Sequence, residues 1–364
     1  MTQAALRDPT LAQRLADEIL HLADRPVRLM EFCGGHTHAI LRFGIRERLA
    51  PNVRLLSGPG CPVCVTATPD IDASIALARL PDVTVATFGD MLRVPGSRGT
   101  LMQARAEGAD VRIVYSALDA LDLARREPQR HVVMLGIGFE TTAPTVAATI
   151  TQAHAEGLRN YSVFSLHKLT GPAMRAILEA GEVRLDGVIG PGHVTTIIGW
   201  QAWEFLPQEY GISCAVSGFE PLDILRAVRS LVQAIREGRP RVTNDYPRSV
   251  SREGNRVAQA LMAEVFTVGP ALWRGLGNVP ASGLFLKATY ADYDTRQRFG
   301  EALAALPPSA PDPAGCRCGE VLRGVLEPPE CPLFRRVCTP AHPVGPCMVS
   351  AEGACAAYYR YGSL

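Results

Sequence analysis

From residue 27 to residue 216 the chain alternates short β-branched runs with amphipathic stretches, and this alternation constrains the fold more than any other feature. The runs are residues 27–30, 53–56, 83–86, 111–114, 131–135, 161–165, 187–189 and 212–216. Between them, residues 71–79, 117–126, 145–155 and 222–236 place apolar side chains at helical spacing. Alternating strand and helix dictate α/β units around parallel sheets. Eight strands exceed one small domain, so the expectation is two parallel-sheet α/β lobes facing a cleft. Two echoes favour that division: Leu55-Leu56-Ser57-Gly58-Pro59-Gly60 resembles Val188-Ile189-Gly190-Pro191-Gly192, and Gly138-Phe139-Glu140 recurs as Gly218-Phe219-Glu220.

The expected division is an N-terminal lobe over residues 1–125, a second lobe over 126–237, and a mainly helical segment over 238–310 packing on the first lobe. Within that segment the patch from Trp273 to Pro280 reads as an ordinary turn. A proline-rich stretch, Pro307-Pro308-Ser309-Ala310-Pro311-Asp312-Pro313, then reads as a stiff linker into a cysteine-rich module over 311–364.

Charge narrows the function. Lys and Arg total 37 against 36 Asp and Glu, a balance that offers no electrostatic footprint for a polyphosphate. Neither nucleic acid nor a membrane is an expected partner. Residues 1–25 mix Arg, Asp and Glu with Leu and Ala and lack the pattern of a signal peptide, and no run of 18 apolar residues occurs, so a cytoplasmic protein is expected. In a reducing compartment, ten cysteines point to metal ligation or redox chemistry rather than to a disulfide framework.

Six of the ten cysteines fall between Cys316 and Cys355, in a proline-rich segment that on its own can bury little apolar area, so a metal centre is the natural organiser. Zinc usually shows paired C-x₂₋₄-C knuckles, and the one close pair here, Cys316 and Cys318, is separated by a single residue. The wider gaps suit an iron–sulfur cube, whose spacings vary among families. Zinc and unligated or disulfide cysteines remain open alternatives, and spacing does not choose four ligands of six.

Four further motifs close strands, where ligand sites of open α/β sheets lie. In Glu31-Phe32-Cys33-Gly34-Gly35-His36-Thr37-His38, glycines admit close approach and a helix N-terminus is expected to lower the Cys33 pKa. His36 and His38 are two apart, so at most one is expected to face Cys33. Gly58-Pro59-Gly60-Cys61-Pro62-Val63-Cys64 is a C-x-x-C after a strand, the spacing of a dithiol/disulfide couple, with half of a zinc site as the alternative. In Gly138-Phe139-Glu140-Thr141-Thr142-Ala143-Pro144 the threonines are candidate helix caps and Glu140 a candidate cleft carboxylate. Gly190-Pro191-Gly192-His193 offers His193 as a proton donor or a structural imidazole. Neither a G-x-x-x-x-G-K-[ST] loop, a G-x-G-x-x-G turn nor a C-x-x-x-C-x-x-C string is present.

Taken together, these strings and the C-terminal Cys347-Met348-Val349-Ser350-Ala351-Glu352-Gly353-Ala354-Cys355-Ala356-Ala357-Tyr358-Tyr359 resemble the HypD family of nickel–iron hydrogenase maturation proteins, in family order across nearly the whole chain. The resemblance implies a scaffold on which an iron bearing two cyanides and one carbon monoxide is assembled before insertion into the hydrogenase large subunit. It implies two partners, a small HypC-type chaperone whose N-terminal cysteine shares the iron and a HypE-type donor that carries cyanide as thiocyanate. By position, Cys33 would ligate that iron, Cys61 and Cys64 would be the redox pair, and Cys316, Cys331, Cys338 and Cys355 would hold a 4Fe-4S cluster, with Cys318 and Cys347 as alternates. His36, Glu140 and His193 complete the candidate site of a maturation factor with redox activity. Two other readings use the same residues: an iron–sulfur disulfide reductase without iron at Cys33, and a zinc-stabilised binding module.

Overall fold

The computed structural model describes residues 5–362. Two parallel sheets and one antiparallel hairpin organise it. The strands are β1 (Val27–Glu31), β2 (Val53–Ser57), β3 (Val83–Thr87), β4 (Asp110–Ile113), β5 (His131–Gly136), β6 (Tyr161–Ser165), β7 (Gly187–Pro191), β8 (Ser213–Ser217), β9 (Val242–Asn244), β10 (Phe266–Trp273) and β11 (Gly277–Leu286). All eight strands expected from the alternation are present. One sheet runs β2-β1-β7-β8-β9 and the other β4-β3-β5-β6. Strands β3, β6, β7 and β8 are buried along their whole length, as parallel strands covered by helices on both faces must be.

The pairing overturns the expected division at residue 125. β3 pairs with β5 and so joins β4 to β5 and β6 in one sheet, while β7 returns to pair with β1 and brings β8 with it. The four-stranded sheet is therefore an insertion within the five-stranded one. The echo between the ends of β2 and β7 belongs to two strands of a single sheet. Periodicity specifies that a segment is a strand; it carries no information about which strand it joins.

Residues 238–310 also depart from expectation. Helix Arg256–Val265 is followed by the β10–β11 hairpin, and the segment packs on the inserted sheet: the helix against helix Ala143–Glu156, the hairpin through a bridge from Gly283 to Lys168. The turn between the hairpin strands is not a surface turn, for Trp273 is 1% exposed and its Nε1 donates to the Ser282 hydroxyl at 2.8 Å.

Nor is the cysteine-rich region a free-standing module. Cys318, Val321, Leu322, Met348 and Tyr358 share one continuous apolar core with Phe32, Cys64, Ile137 and Trp273. Helix Ala354–Tyr361 packs on helix Gly34–Arg42, and Arg93 donates to the carbonyls of Val349 at 2.7 Å and Pro340 at 3.3 Å. The linker is latched as well: Ser309 donates to Asp72, and the Ala310 N–H to the Ser97 hydroxyl at 2.7 Å.

Register decides where chemistry can occur. Glu31 pairs with Ser57 and with Ile189, and Pro191 with Ser217, so the carboxyl ends of β1, β2, β7 and β8 lie side by side. The segments leaving those ends carry Cys33, Cys61, His193 and Phe219, with His193 in the first turn of helix Gly192–Ile198.

Candidate functional site

A cleft of about 520 Å³ opens at these strand ends. Its walls include Cys33, Gly60, Phe88, Asp90, Thr141, Thr142, His193 and Glu352, so the ends of both parallel sheets and the C-terminal region meet there.

Cys33 is a free, half-buried thiol that precedes helix Gly34–Arg42. Its N–H donates to Glu31 Oε2 at 2.7 Å, and the other Glu31 oxygen accepts from the Thr37 hydroxyl. Glu31 is 1% exposed, and burial lifts its carboxyl to about 8 against the pull of those hydrogen bonds. The expected lowering of the Cys33 pKa does not occur. Burial, then the charges of Glu352 and Glu31, push the thiol up to about 12 and outweigh the donated N–H groups of Gly35 and His36. A free Cys33 keeps its proton until a soft cation displaces it.

Close approach explains two of the glycines. A Cβ on Gly60 would stand 2.3 Å from the Cys33 nitrogen, and one on Gly34 would meet the Glu352 backbone oxygen. The Gly60 contact, with the Gly34 N–H donating to the Gly60 carbonyl at 3.0 Å, pins the β1 and β2 loops together, and the Gly34 contact seats the C-terminal region against them. Cys61 begins the short helix Pro62–Val65 and is joined to Cys64 by a disulfide, with Cα atoms 5.2 Å apart.

The two histidines of the first motif diverge. His36 is fully buried; its Nε2–H faces the carbonyls of Gly218 at 3.0 Å and Ser217 at 3.3 Å, and burial lowers its pKa to about 4. His38 turns to Tyr361, ring centroids 5.0 Å apart. His193 lines the cleft, with its pKa lowered by partial desolvation. Glu140 does not line it. That carboxylate is 4% exposed and accepts both the Thr170 N–H and the Thr170 hydroxyl at 2.9 Å, at the start of helix Thr170–Ala180, and burial raises its pKa. The Thr142 hydroxyl donates to the Ile137 carbonyl at 3.2 Å rather than capping the helix it precedes.

Glu352 is the cleft residue that motif reading passed over. It lies in the quoted C-terminal string, but its approach to Gly34 depends on the C-terminal region docking on the first strand end. Desolvation and the nearby charge of Asp90 raise its carboxyl.

All six C-terminal cysteines line one apolar chamber with Leu333, Phe334 and Met348. Cys318 and Cys347 form a disulfide with Cα atoms 6.3 Å apart; Cys316, Cys331, Cys338 and Cys355 are free. Burial and the charges of Cys338, Cys331 and Cys316 raise the Cys355 pKa, so the four free thiols sit within one another's field. Four free cysteine sulfurs around an apolar chamber fit the donor set of a 4Fe-4S cluster, whose iron would offset the repulsion they would feel as thiolates. Among the described residues, no three His, Cys, Asp or Glu side chains converge as a ready-made single-ion site. The chamber adjoins the first disulfide: Cys64 Sγ lies 3.7 Å from the Pro346 carbonyl, one residue before Cys347.

Among the described residues no helix is long and apolar enough to cross a membrane. The HypD family profile, described as "Hydrogenase formation hypA family", matches residues 10–362. The chain is 47% identical to "Hydrogenase maturation factor HypD" of Rhodobacter capsulatus, over 98% of this chain and 97% of that protein. It is 50% identical to the protein of the same name from Cupriavidus necator, over 98% and 96%, and 46% identical to that of Escherichia coli, over 96% and 94%. The chain belongs to the HypD family of hydrogenase maturation factors.

Proposed function

We propose that this protein is the cytoplasmic scaffold on which the iron of a nickel–iron hydrogenase acquires two cyanides and one carbon monoxide, with Cys33 holding the iron. The observation that carries the reading is the shared cleft end: a free Cys33 thiol, pinned through Gly60 to the Cys61–Cys64 pair. A small HypC-type chaperone supplies a second sulfur to the iron, a HypE-type protein delivers cyanide as a thiocyanate, and the finished group passes to the hydrogenase large subunit.

The electron balance suits this site. Cleaving the S–C bond of a thiocyanate so that the cyanide carbon bonds to iron takes two electrons and releases a thiolate. Cys61 and Cys64, passing from two thiols to a disulfide, give two electrons and two protons. One proton goes to the leaving thiolate; the other goes to solvent through the cleft that His193 and Glu352 line. Cys316, Cys331, Cys338 and Cys355 would hold the 4Fe-4S cluster, which supplies single electrons when bound. Cys318 and Cys347 join the redox set because their disulfide lines the same chamber and adjoins Cys64.

The test is an infrared spectrum of the protein purified without oxygen from cells that also express the chaperone and the cyanide donor. Nitrile and metal-carbonyl stretches that vanish in Cys33→Ser support the scaffold reading. Bands that persist in Cys33→Ser remove Cys33 from it, and iron with labile sulfide but no such bands shifts the reading to a disulfide reductase.

A further inference from the structure

The hairpin turn between β10 and β11 carries a buried cation that the proposed reaction does not use. Arg274 is 5% exposed. Its backbone N–H donates to the Val65 carbonyl at 2.9 Å, next to the C-x-x-C helix, and the following residue, Gly275, packs its backbone against Gly319 and accepts from Arg323 at 2.6 Å. The turn is thus wedged between the dithiol loop and the segment that begins at Cys316.

The guanidinium is only partly satisfied. Nη2 donates to the Thr68 hydroxyl and to the Pro95 carbonyl at 3.2 Å, and Nε lies 3.2 Å from an Asp312 oxygen without the geometry of a hydrogen bond. Nη1 is buried without a partner among the described residues. The negative groups within its reach are Asp312, then Cys316 in its thiolate form, then Asp72. Asp312 is 42% exposed at its side chain, so water weakens its compensation of a cation that water scarcely reaches. A partly compensated positive charge is therefore held in the turn that packs on Gly319, within electrostatic reach of Cys316.

We propose that Arg274 sets the reduction potential of the cluster held by Cys316, Cys331, Cys338 and Cys355, an inference that rests on the cluster reading above. One-electron reduction takes a 4Fe-4S cluster from the 2+ to the 1+ state, and a fixed cation close to a ligand stabilises the more negative product. Arg274 raises the potential; Asp312, by offsetting that cation, lowers it. Arg274 does not line the thiol chamber, so it acts through field rather than ligation.

The test uses the full chain reconstituted without oxygen with ferrous iron and sulfide, then titrated with dithionite while the reduced cluster is followed by electron paramagnetic resonance. At matched iron and sulfide content, Arg274→Lys is expected to keep the wild-type potential. Arg274→Gln shifts it negative, with the ratio of reduced to oxidised cluster at fixed potential falling about tenfold, about 59 mV for one electron. Asp312→Asn shifts it the opposite way, and this exposed substitution carries the test if Arg274→Gln fails to load. Lys and Gln variants that shift alike, or an Asp312→Asn variant that does not move positive, overturn the inference. A wild-type chain that takes up no cluster sinks the cluster reading, and this inference with it.

Discussion

His193 stacks face to face on Phe219, ring centroids 3.9 Å apart and planes inclined by 24°, while His36 covers the other side of the same ring at 4.7 Å. One phenyl plate thus separates a cleft imidazole from a buried one. Replacing it exposes how much of the behaviour of His193 is set by that contact. Phe219→Ala is expected to cost about 2 kcal/mol of stability, since the ring is half-buried. The His193 titration, followed by proton NMR, should move up toward 6.5 as water replaces the ring. An unchanged titration would show that Phe219 does not desolvate His193.

The Gly60 contact predicts a steric effect on the proposed iron site. Gly60→Ala places a methyl 2.3 Å from the Cys33 nitrogen, so the β1 loop has to move. The expected cost is roughly 1–3 kcal/mol in thermal unfolding. Hydrogenase maturation in a complemented strain should be lost even though all ten cysteines remain. A variant that matures hydrogenase normally would mean that Cys33 tolerates displacement.

Glu140 should behave as a structural carboxylate. Glu140→Ala strands the buried Thr170 N–H and hydroxyl and is expected to cost about 2–3 kcal/mol. Glu140→Gln, which can still accept one bond and adjust the other, should cost less than about 1 kcal/mol and retain maturation activity. Loss of activity in a fully folded Glu140→Gln protein would restore a chemical role.

If the chamber holds the proposed cluster, iron and sulfide content should separate the two kinds of cysteine in it. Cys355→Ser is expected to lose the brown chromophore and most of its iron. The double variant Cys318→Ser/Cys347→Ser keeps both, because those sulfurs are paired with each other. Equal iron loss in the two proteins would contradict the division of six cysteines into four and two.

Stability should fall on the acid side because of His167. The Ser165 hydroxyl donates to the Leu284 carbonyl at 2.7 Å and so accepts from His167 Nδ1–H at 3.1 Å, leaving Nε2 as a buried lone pair. Burial, then Lys168, lowers the folded pKa to about 3. The unfolded state, titrating near 6.5, takes up the proton first, so unfolding free energy is steady above about pH 6.5 and declines below it toward pH 3. Urea melts at pH 7.5 and pH 5 should differ by about 2 kcal/mol from this group, and His167→Phe should flatten that part of the slope.

The α/β class and all eight strands between residues 27 and 217 were legible because β-branched runs and helical spacing are local signals. The hairpin was not: Pro270 sits in β10 and Pro280 in β11, and proline disguises a strand whose partner is a single neighbour. Strand order was illegible for a different reason, since the return of β7 to β1 depends on loop closure over the inserted sheet. Cys33 at the cleft, and Cys61 and Cys64 behind it, stand out in the sequence by motif and spacing. The high Cys33 pKa does not, because the carboxylate of Glu352 that helps to raise it is more than 300 positions away along the chain. Arg274 carried no motif at all; its interest comes wholly from where the hairpin puts it.

The insertion of one sheet within the other also sets an order of events on the ribosome. β1 and β2 emerge early, but their neighbour β7 begins only at Gly187, after the entire four-stranded sheet has been made. At 5–20 residues per second, that interval is on the order of ten seconds. The inserted sheet has all four of its strands by residue 165 and can form as a unit, whereas the ends of β1 and β2 wait without β7. Through that wait Cys33, Cys61 and Cys64 stand on an unfinished sheet, open to oxidants and stray metals that the finished cleft would limit. The cleft is closed later still, because Glu352 and the helix Ala354–Tyr361 that docks on helix Gly34–Arg42 are made after every strand of both sheets.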